Sequence, residues 1–139
     1  MIVDVIEPPL GEVIITNYEG GRNLESGAFE GPAVATLDNE CRYEGAFKNG
    51  MFHGKGAFYW PSGVKFEGDF QRGKILGRGS YLWHDGSTYV GEVEEGLRHG
   101  AGKFVGSSGQ VYEGDWRHGK RHGKGKLSYD EERTMIYTV

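Results

Sequence analysis

A five-residue pattern returns at a constant interval and limits what this chain can fold into. Tyr43-Glu44-Gly45-Ala46-Phe47 comes back as Phe66-Glu67-Gly68-Asp69-Phe70, as Tyr89-Val90-Gly91-Glu92-Val93 and as Tyr112-Glu113-Gly114-Asp115-Trp116, 23 positions later each time. The second half of the unit keeps the same step through the glycine pairs Gly54/Gly56, Gly77/Gly79, Gly100/Gly102 and Gly123/Gly125. Self-similarity at a fixed period is the mark of a repeat array, in which each unit buries its apolar face against its neighbours. The basic, glycine-rich stretch from Tyr112 to Tyr129 is therefore one unit of an array. Its glycines hold array positions and do not define a phosphate loop.

Within a unit the period is two. Tyr112, Gly114 and Trp116 face one way and Glu113, Asp115 and Arg117 the other, the alternation of a half-buried strand. The halves are joined by Asn49-Gly50, Arg72-Gly73, Glu95-Gly96 and His118-Gly119, and the units by Pro61-Ser62-Gly63, Asp85-Gly86 and Ser108-Gly109. Glycine accepts the positive φ that tight hairpin turns require. Each unit thus reads as a β-hairpin, and successive hairpins pair antiparallel. The fold class is all-β: an elongated single-layer antiparallel sheet of tandem hairpins. Composition agrees. The chain has 25 glycines in 139 residues and 13% aromatics, which suits a thin sheet with tight turns and a core made of rings. Gly45, Gly68, Gly91 and Gly114 are expected to leave room for Phe58, Tyr81, Phe104 and Leu127.

The organisation follows. Residues 1–17 lie outside the repeat and read as a cap or extension, with short β segments (Ile2, Val3, Val5, Ile6 and Val13–Ile15) around a turn at Pro8-Pro9. Residues 18–42 form a degenerate unit that opens on Tyr18. Four units cover 43–65, 66–88, 89–111 and 112–134, and 135–139 begins an incomplete one. The N-terminus lacks a basic segment and does not read as a signal peptide. No apolar run is long enough to span a membrane as a helix.

The pattern Tyr-Glu-Gly-x-Phe/Trp, followed by His-Gly-x-Gly and a second aromatic, resembles the MORN (membrane occupation and recognition nexus) repeat. Phe66, Val90, Val93, Leu76 and Gly106 depart from it. The resemblance implies a twisted sheet with an aromatic-lined groove and no catalytic activity. The run from Trp83 to Val93, Trp-x-Asp-Gly-Ser-x-Tyr-x-Gly-Glu-Val, is similar to the radial spoke head 10-type MORN proteins of motile cilia. That likeness implies a structural part of the axoneme, held in the cytoplasm before assembly, with other spoke-head proteins as partners, MORN-type ones among them. The edge of an unfinished fifth unit is open to pairing with another chain, a homodimer included. A phospholipid-binding or membrane-tethering module is the alternative.

The aromatic stripe runs through Tyr43, Phe47, Phe66, Phe70, Tyr89, Tyr112 and Tyr129. Trp60, Trp83, Tyr59, Tyr81, Phe58, Phe104 and Trp116 are expected to line a partner groove, with Trp60 and Trp83 the most exposed. Arg117, Lys120, Arg121, Lys124 and Lys126 form a basic patch that suits anionic lipid or an acidic partner, or is a solvated strand face. The net charge of -4 speaks against general nucleic-acid binding. His53, His99 and His122 share a repeat position but stand about 10 Å apart along the sheet, too far to share one ion, so no metal or cofactor is expected. The carboxylates Glu44, Glu67, Asp69, Glu92, Glu113 and Asp115 read as an outward ladder. Cys41 beside Arg42 invites a lowered thiol pKa, but no histidine constellation supports a nucleophile. The positions Tyr43, Gly45, Gly54, Gly56, Phe66, Gly68, Gly77, Gly79, Tyr89, Gly91, Gly100, Gly102, Tyr112, Gly114, Gly123 and Gly125 read as structural repeat residues.

Overall fold

The computed structural model describes residues 5–128 and the backbone of Thr134–Thr138. Ile2, Val3, Tyr129 and Val139, read above as parts of the cap, the stripe and the fifth unit, lie outside the described residues. Eleven strands follow one another without a helix among the described residues: β1 (Ile15–Arg22), β2 (Phe29–Leu37), β3 (Arg42–Lys48), β4 (Met51–Tyr59), β5 (Lys65–Gln71), β6 (Lys74–Leu82), β7 (Thr88–Glu94), β8 (Leu97–Val105), β9 (Val111–Arg117), β10 (Lys120–Ser128) and β11 (Thr134–Thr138). They make one open sheet in chain order, every neighbour antiparallel. The chain is all-β, as its periodicity predicts.

The turns explain the regularity. Asn49 and Gly50 adopt φ of 52° and 78°, Arg72 and Gly73 50° and 78°, Glu95 and Gly96 51° and 78°, and His118 and Gly119 49° and 79°. Two successive positive φ values give the turn whose twist matches the strands it joins. Each of these hairpins then carries a register shift at the same place, between Gly45 and Ala46, Gly68 and Phe70, Gly91 and Val93, and Arg121 and Gly125. Strict alternation predicts no such irregularity. Such bulges bend a strand and increase its twist.

The repeated carboxylates serve these bulges. Asp69 accepts the Arg78 amide at 3.0 Å and Glu92 accepts the Ala101 amide at 2.5 Å. Asp69 also pairs with Lys55. The ladder is thus partly structural, because a displaced backbone N–H needs an acceptor.

The rings are packed differently from expectation. The ring over the glycines belongs to the aromatic that opens each unit, not to Phe58, Tyr81, Phe104 or Leu127. A Cβ on Gly56 would stand 2.5 Å from the Tyr43 hydroxyl, and Gly79, Gly102 and Gly125 lie in the same way under Phe66, Tyr89 and Tyr112. The phenols then reach the bulge in their own strand. Tyr43 donates to Ala46 O at 2.7 Å, Tyr89 to Glu92 O at 2.7 Å and Tyr112 to Asp115 O at 3.1 Å. Tyr18, in the degenerate unit, donates to Gly21 O. A tyrosine so placed buries its ring and still satisfies its hydroxyl.

The laid-down rings meet their neighbours edge-on or stacked. Tyr43 stacks on Phe52 at 4.0 Å and meets Phe70 edge-on at 5.0 Å, and Tyr112 meets Trp116 edge-on at 5.1 Å. Tyr43, Phe58, Phe66, Tyr89 and Tyr112 are fully buried. Burying one such ring contributes about 1.5–3 kcal/mol, so this ladder is the core of the single sheet that the described residues form.

Candidate functional site

The sheet has two unlike faces. One carries the rings, the other the charges, and the structure separates the proposed site residues between them.

The aromatic face is not open as expected. Trp60 and Trp83, taken as the most exposed rings, are 8% and 5% exposed. The reason is the N-terminal segment. Residues 5–10 form no strand. They run as an extended strap over the aromatic face, from the third and fourth units back towards the first. The Trp83 indole N–H donates to Ile6 O at 2.9 Å, and the Trp60 indole N–H donates to Pro9 O at 2.9 Å. Pro8-Pro9 keeps the strap extended instead of turning it, since proline fixes φ and offers no donor. Val5 and Leu10 pack against the ring cluster. Phe58, Tyr81, Phe104 and Trp116 lie in that cluster and are buried.

Tyr59 is on the opposite face. It pairs in register with Arg42 and Lys65, its ring lies 4.4 Å from the Arg42 guanidinium, and it borders a shallow depression with Glu44, Lys55 and Glu67 apart from the aromatic face.

One buried ion pair anchors the strap. Glu7 is 6% and Arg98 5% exposed. Arg98 Nη2 donates to Glu7 Oε1 at 3.0 Å, and the Arg98 amide donates to Glu7 Oε2 at 2.8 Å. Nη2 also donates to Val5 O at 3.0 Å and Gly119 O at 2.8 Å. The guanidinium sits among rings, 4.6 Å from Trp116, 5.2 Å from Trp83 and 5.4 Å from Phe104. Such an aromatic cage stabilises a desolvated cation.

The repeat register puts an arginine in two units at this position, and Arg98 is the one that is buried. Equivalent cross-strand pairs on this face are Phe47 with Phe52, Phe70 with Ile75, Val93 with Arg98 and Trp116 with Arg121. The smaller Val93 stands opposite the long Arg98 side chain. The substitution of valine for an aromatic, which reads in the sequence as a thinning of the stripe, coincides with a guanidinium in the same cluster.

The basic patch is split. Arg121 pairs with Trp116 and lies 5.7 Å from the Tyr112 ring, on the aromatic face. Arg117, Lys120, Lys124 and Lys126 are exposed on the other face, where Lys126 stands opposite Glu113.

Among the histidines, His99 pairs with Glu94 at 3.1 Å and its ring lies 5.5 Å from that of His118, while His53 and His122 are exposed. Among the described residues no group of three His, Cys, Asp or Glu is placed to hold a metal ion. Burial pushes the Cys41 thiol up, not down as its neighbour Arg42 suggests. No described helix is long and apolar enough to cross a membrane.

The comparison with protein families agrees with the geometry. The MORN repeat matches residues 43–65, 66–88, 89–111 and 112–131. The chain belongs to the MORN repeat family. No curated protein matches it. MORN repeats mark a protein-interaction or membrane-binding module, and the chains that carry them are typically non-enzymatic scaffolds. In this MORN array the residues that sequence reasoning missed are Glu7 and Arg98, the latter at a position where the first two units bury Phe52 and Ile75.

Proposed function

We propose that this MORN chain is a non-enzymatic structural protein of the motile-cilium axoneme, a component of the radial spoke head that holds other spoke-head proteins together. The observation that carries the scaffold reading is the continuous eleven-strand sheet whose rings are buried as a structural core. Such a strip presents surfaces rather than a reactive cavity. The ciliary assignment is supported by the likeness of the Trp83–Val93 run to radial spoke head 10-type proteins. The partners are other spoke-head proteins, including MORN-type ones. The edge strand β1 suits strand pairing with a further chain.

Fractionation of ciliated cells that express the tagged chain tests this. Retention on detergent-stripped axonemes, with release by salt in complexes with spoke-head proteins, is the expected result. Loss into the detergent fraction, or absence from cilia, overturns the ciliary assignment.

A second reading is favoured by Arg117, Lys120, Lys124 and Lys126 on the charged face. It is membrane tethering through anionic lipid. Liposome co-sedimentation that depends on anionic lipid and is lost when these four residues become glutamine supports it. Equal sedimentation with neutral vesicles removes it.

A further inference from the structure

The strap is held as a ligand would be. The carbonyls of Val5, Ile6 and Pro9 accept bonds from Arg98, Trp83 and Trp60, and the Glu7 carboxylate takes the Arg98 guanidinium and amide. The Ile6 side chain points away and is 80% exposed. What the face reads is therefore an extended backbone with one carboxylate, followed by prolines that keep the chain extended. These requirements are general, and a segment of another protein meets them equally well.

Two observations show that the strap fits imperfectly. Arg98 Nε is buried without a hydrogen-bond partner, while Nη2 carries all the side-chain bonds of that guanidinium. A carboxylate arriving along the guanidinium edge engages Nε and Nη2 together, the stronger forked arrangement. Beside the strap a cavity of about 410 Å³ remains, bordered by Pro8, Pro9, Leu10, Ile75 and Leu97. Apolar surface is thus left for a larger side chain than the strap supplies.

We propose that the aromatic face is a receptor for an extended, acidic, proline-bearing segment of a partner protein, and that residues 5–10 are its tethered competitor. Arg98 selects the carboxylate, Trp60 and Trp83 hold the backbone, and the strap keeps the rings covered until a better segment displaces it. A short tether gives the strap an effective concentration of about a millimolar, so only a partner that exceeds it gains the site. The proposal goes beyond the ciliary assignment and needs only the array.

The probe is a fluorescein-labelled peptide with the sequence of residues 3–12, titrated into the full chain and read by anisotropy. The parent chain is expected to bind it weakly. Glu7→Gln in the chain is expected to raise affinity about tenfold or more, because a buried charged bond is worth at least that factor. Adding Arg98→Ile, which installs the residue found at position 75, is expected to abolish binding. A probe carrying Glu7→Gln is expected to lose about tenfold. Circular dichroism and one cooperative melt establish that each chain is folded. Should Glu7→Gln fail to fold, Pro9→Gly loosens the strap without touching Arg98, and the same rise is expected. Affinity that ignores the strap variants, or that survives Arg98→Ile, or that is equal for the glutamine probe, overturns the proposal.

Discussion

Glu7 and Arg98 stand 91 positions apart in the chain and 3.0 Å apart in the fold, with side chains 3% and 6% exposed. Their pairing ties the non-repeating N-terminus to the third unit. Removal of one partner leaves a buried charge uncompensated, and that costs about 3–5 kcal/mol. Glu7→Ala is expected to lower the unfolding free energy by an amount of this order in urea titration. The double variant Glu7→Leu with Arg98→Ile removes both charges and is expected to lie much closer to the parent. Equal losses for the single and double variants contradict the pairing.

Gly102 lies against the Tyr89 ring so closely that a methyl group there overlaps it. Gly102→Ala is expected to cost about 1–3 kcal/mol through overpacking. In a Tyr89→Leu background the same change is expected to cost less, because the ring that it strikes is gone. A double-mutant cycle by thermal melts measures the difference, and strict additivity argues against a ring laid over this glycine.

Three tyrosines make stability sensitive to alkali. Burial pushes the Tyr43 phenol up to about 12. It also pushes Tyr81 and Tyr89 up, with the Glu7 charge adding to burial at Tyr81. In the unfolded chain each titrates near about 10. The stabilisation is fully present below that value and is lost as pH rises through the folded values, because the unfolded state alone releases these protons. Absorbance titration is expected to show one group of phenols ionising near pH 10 and another only as the fold is lost. Ionisation of all eight tyrosines near pH 10 with the fold intact contradicts this.

Asp69 acts at the other end of the scale. The Lys55 ammonium, and then the Arg78 amide, hold its carboxyl below the usual range against an opposing burial effect. A lowered folded pKa gives stability that is present above the unfolded value of about 3.9 and is lost as pH falls through the folded one. The stability gap between the parent and Asp69→Ala is therefore expected to narrow on going from neutral to strongly acid solution. A gap that stays constant with pH rules out the carboxylate as its source.

Much of the fold is legible in the sequence, since a constant interval with glycine at each turn leaves little but tandem hairpins. Asn49-Gly50 announces its turn directly, and the other three turns follow by register although Arg72, Glu95 and His118 are poor residues for positive φ. The direction of the rings is not legible. Alternation says which face Tyr43 shares, but only packing decides that it lies over Gly56. The covered face is less legible still. Residues 5–10 have no period, so nothing local shows where they go. Two physical signals do point to them: tryptophans whose N–H groups need acceptors once buried, and Arg98, buried in a row that holds Phe52, Ile75 and the less buried Arg121. A guanidinium in an aromatic cluster requires a carboxylate, and no repeat position on that face supplies one.

The most direct test of the account is the seat of the strap on the aromatic face. Proton NMR of the full chain resolves the indole N–H signals of its three tryptophans. The account predicts nuclear Overhauser contacts from the Trp60 indole N–H to Pro9 and from the Trp83 indole N–H to Ile6, with both protons slow to exchange with water. Fast exchange of both indoles and no contact with residues 5–10 contradicts it.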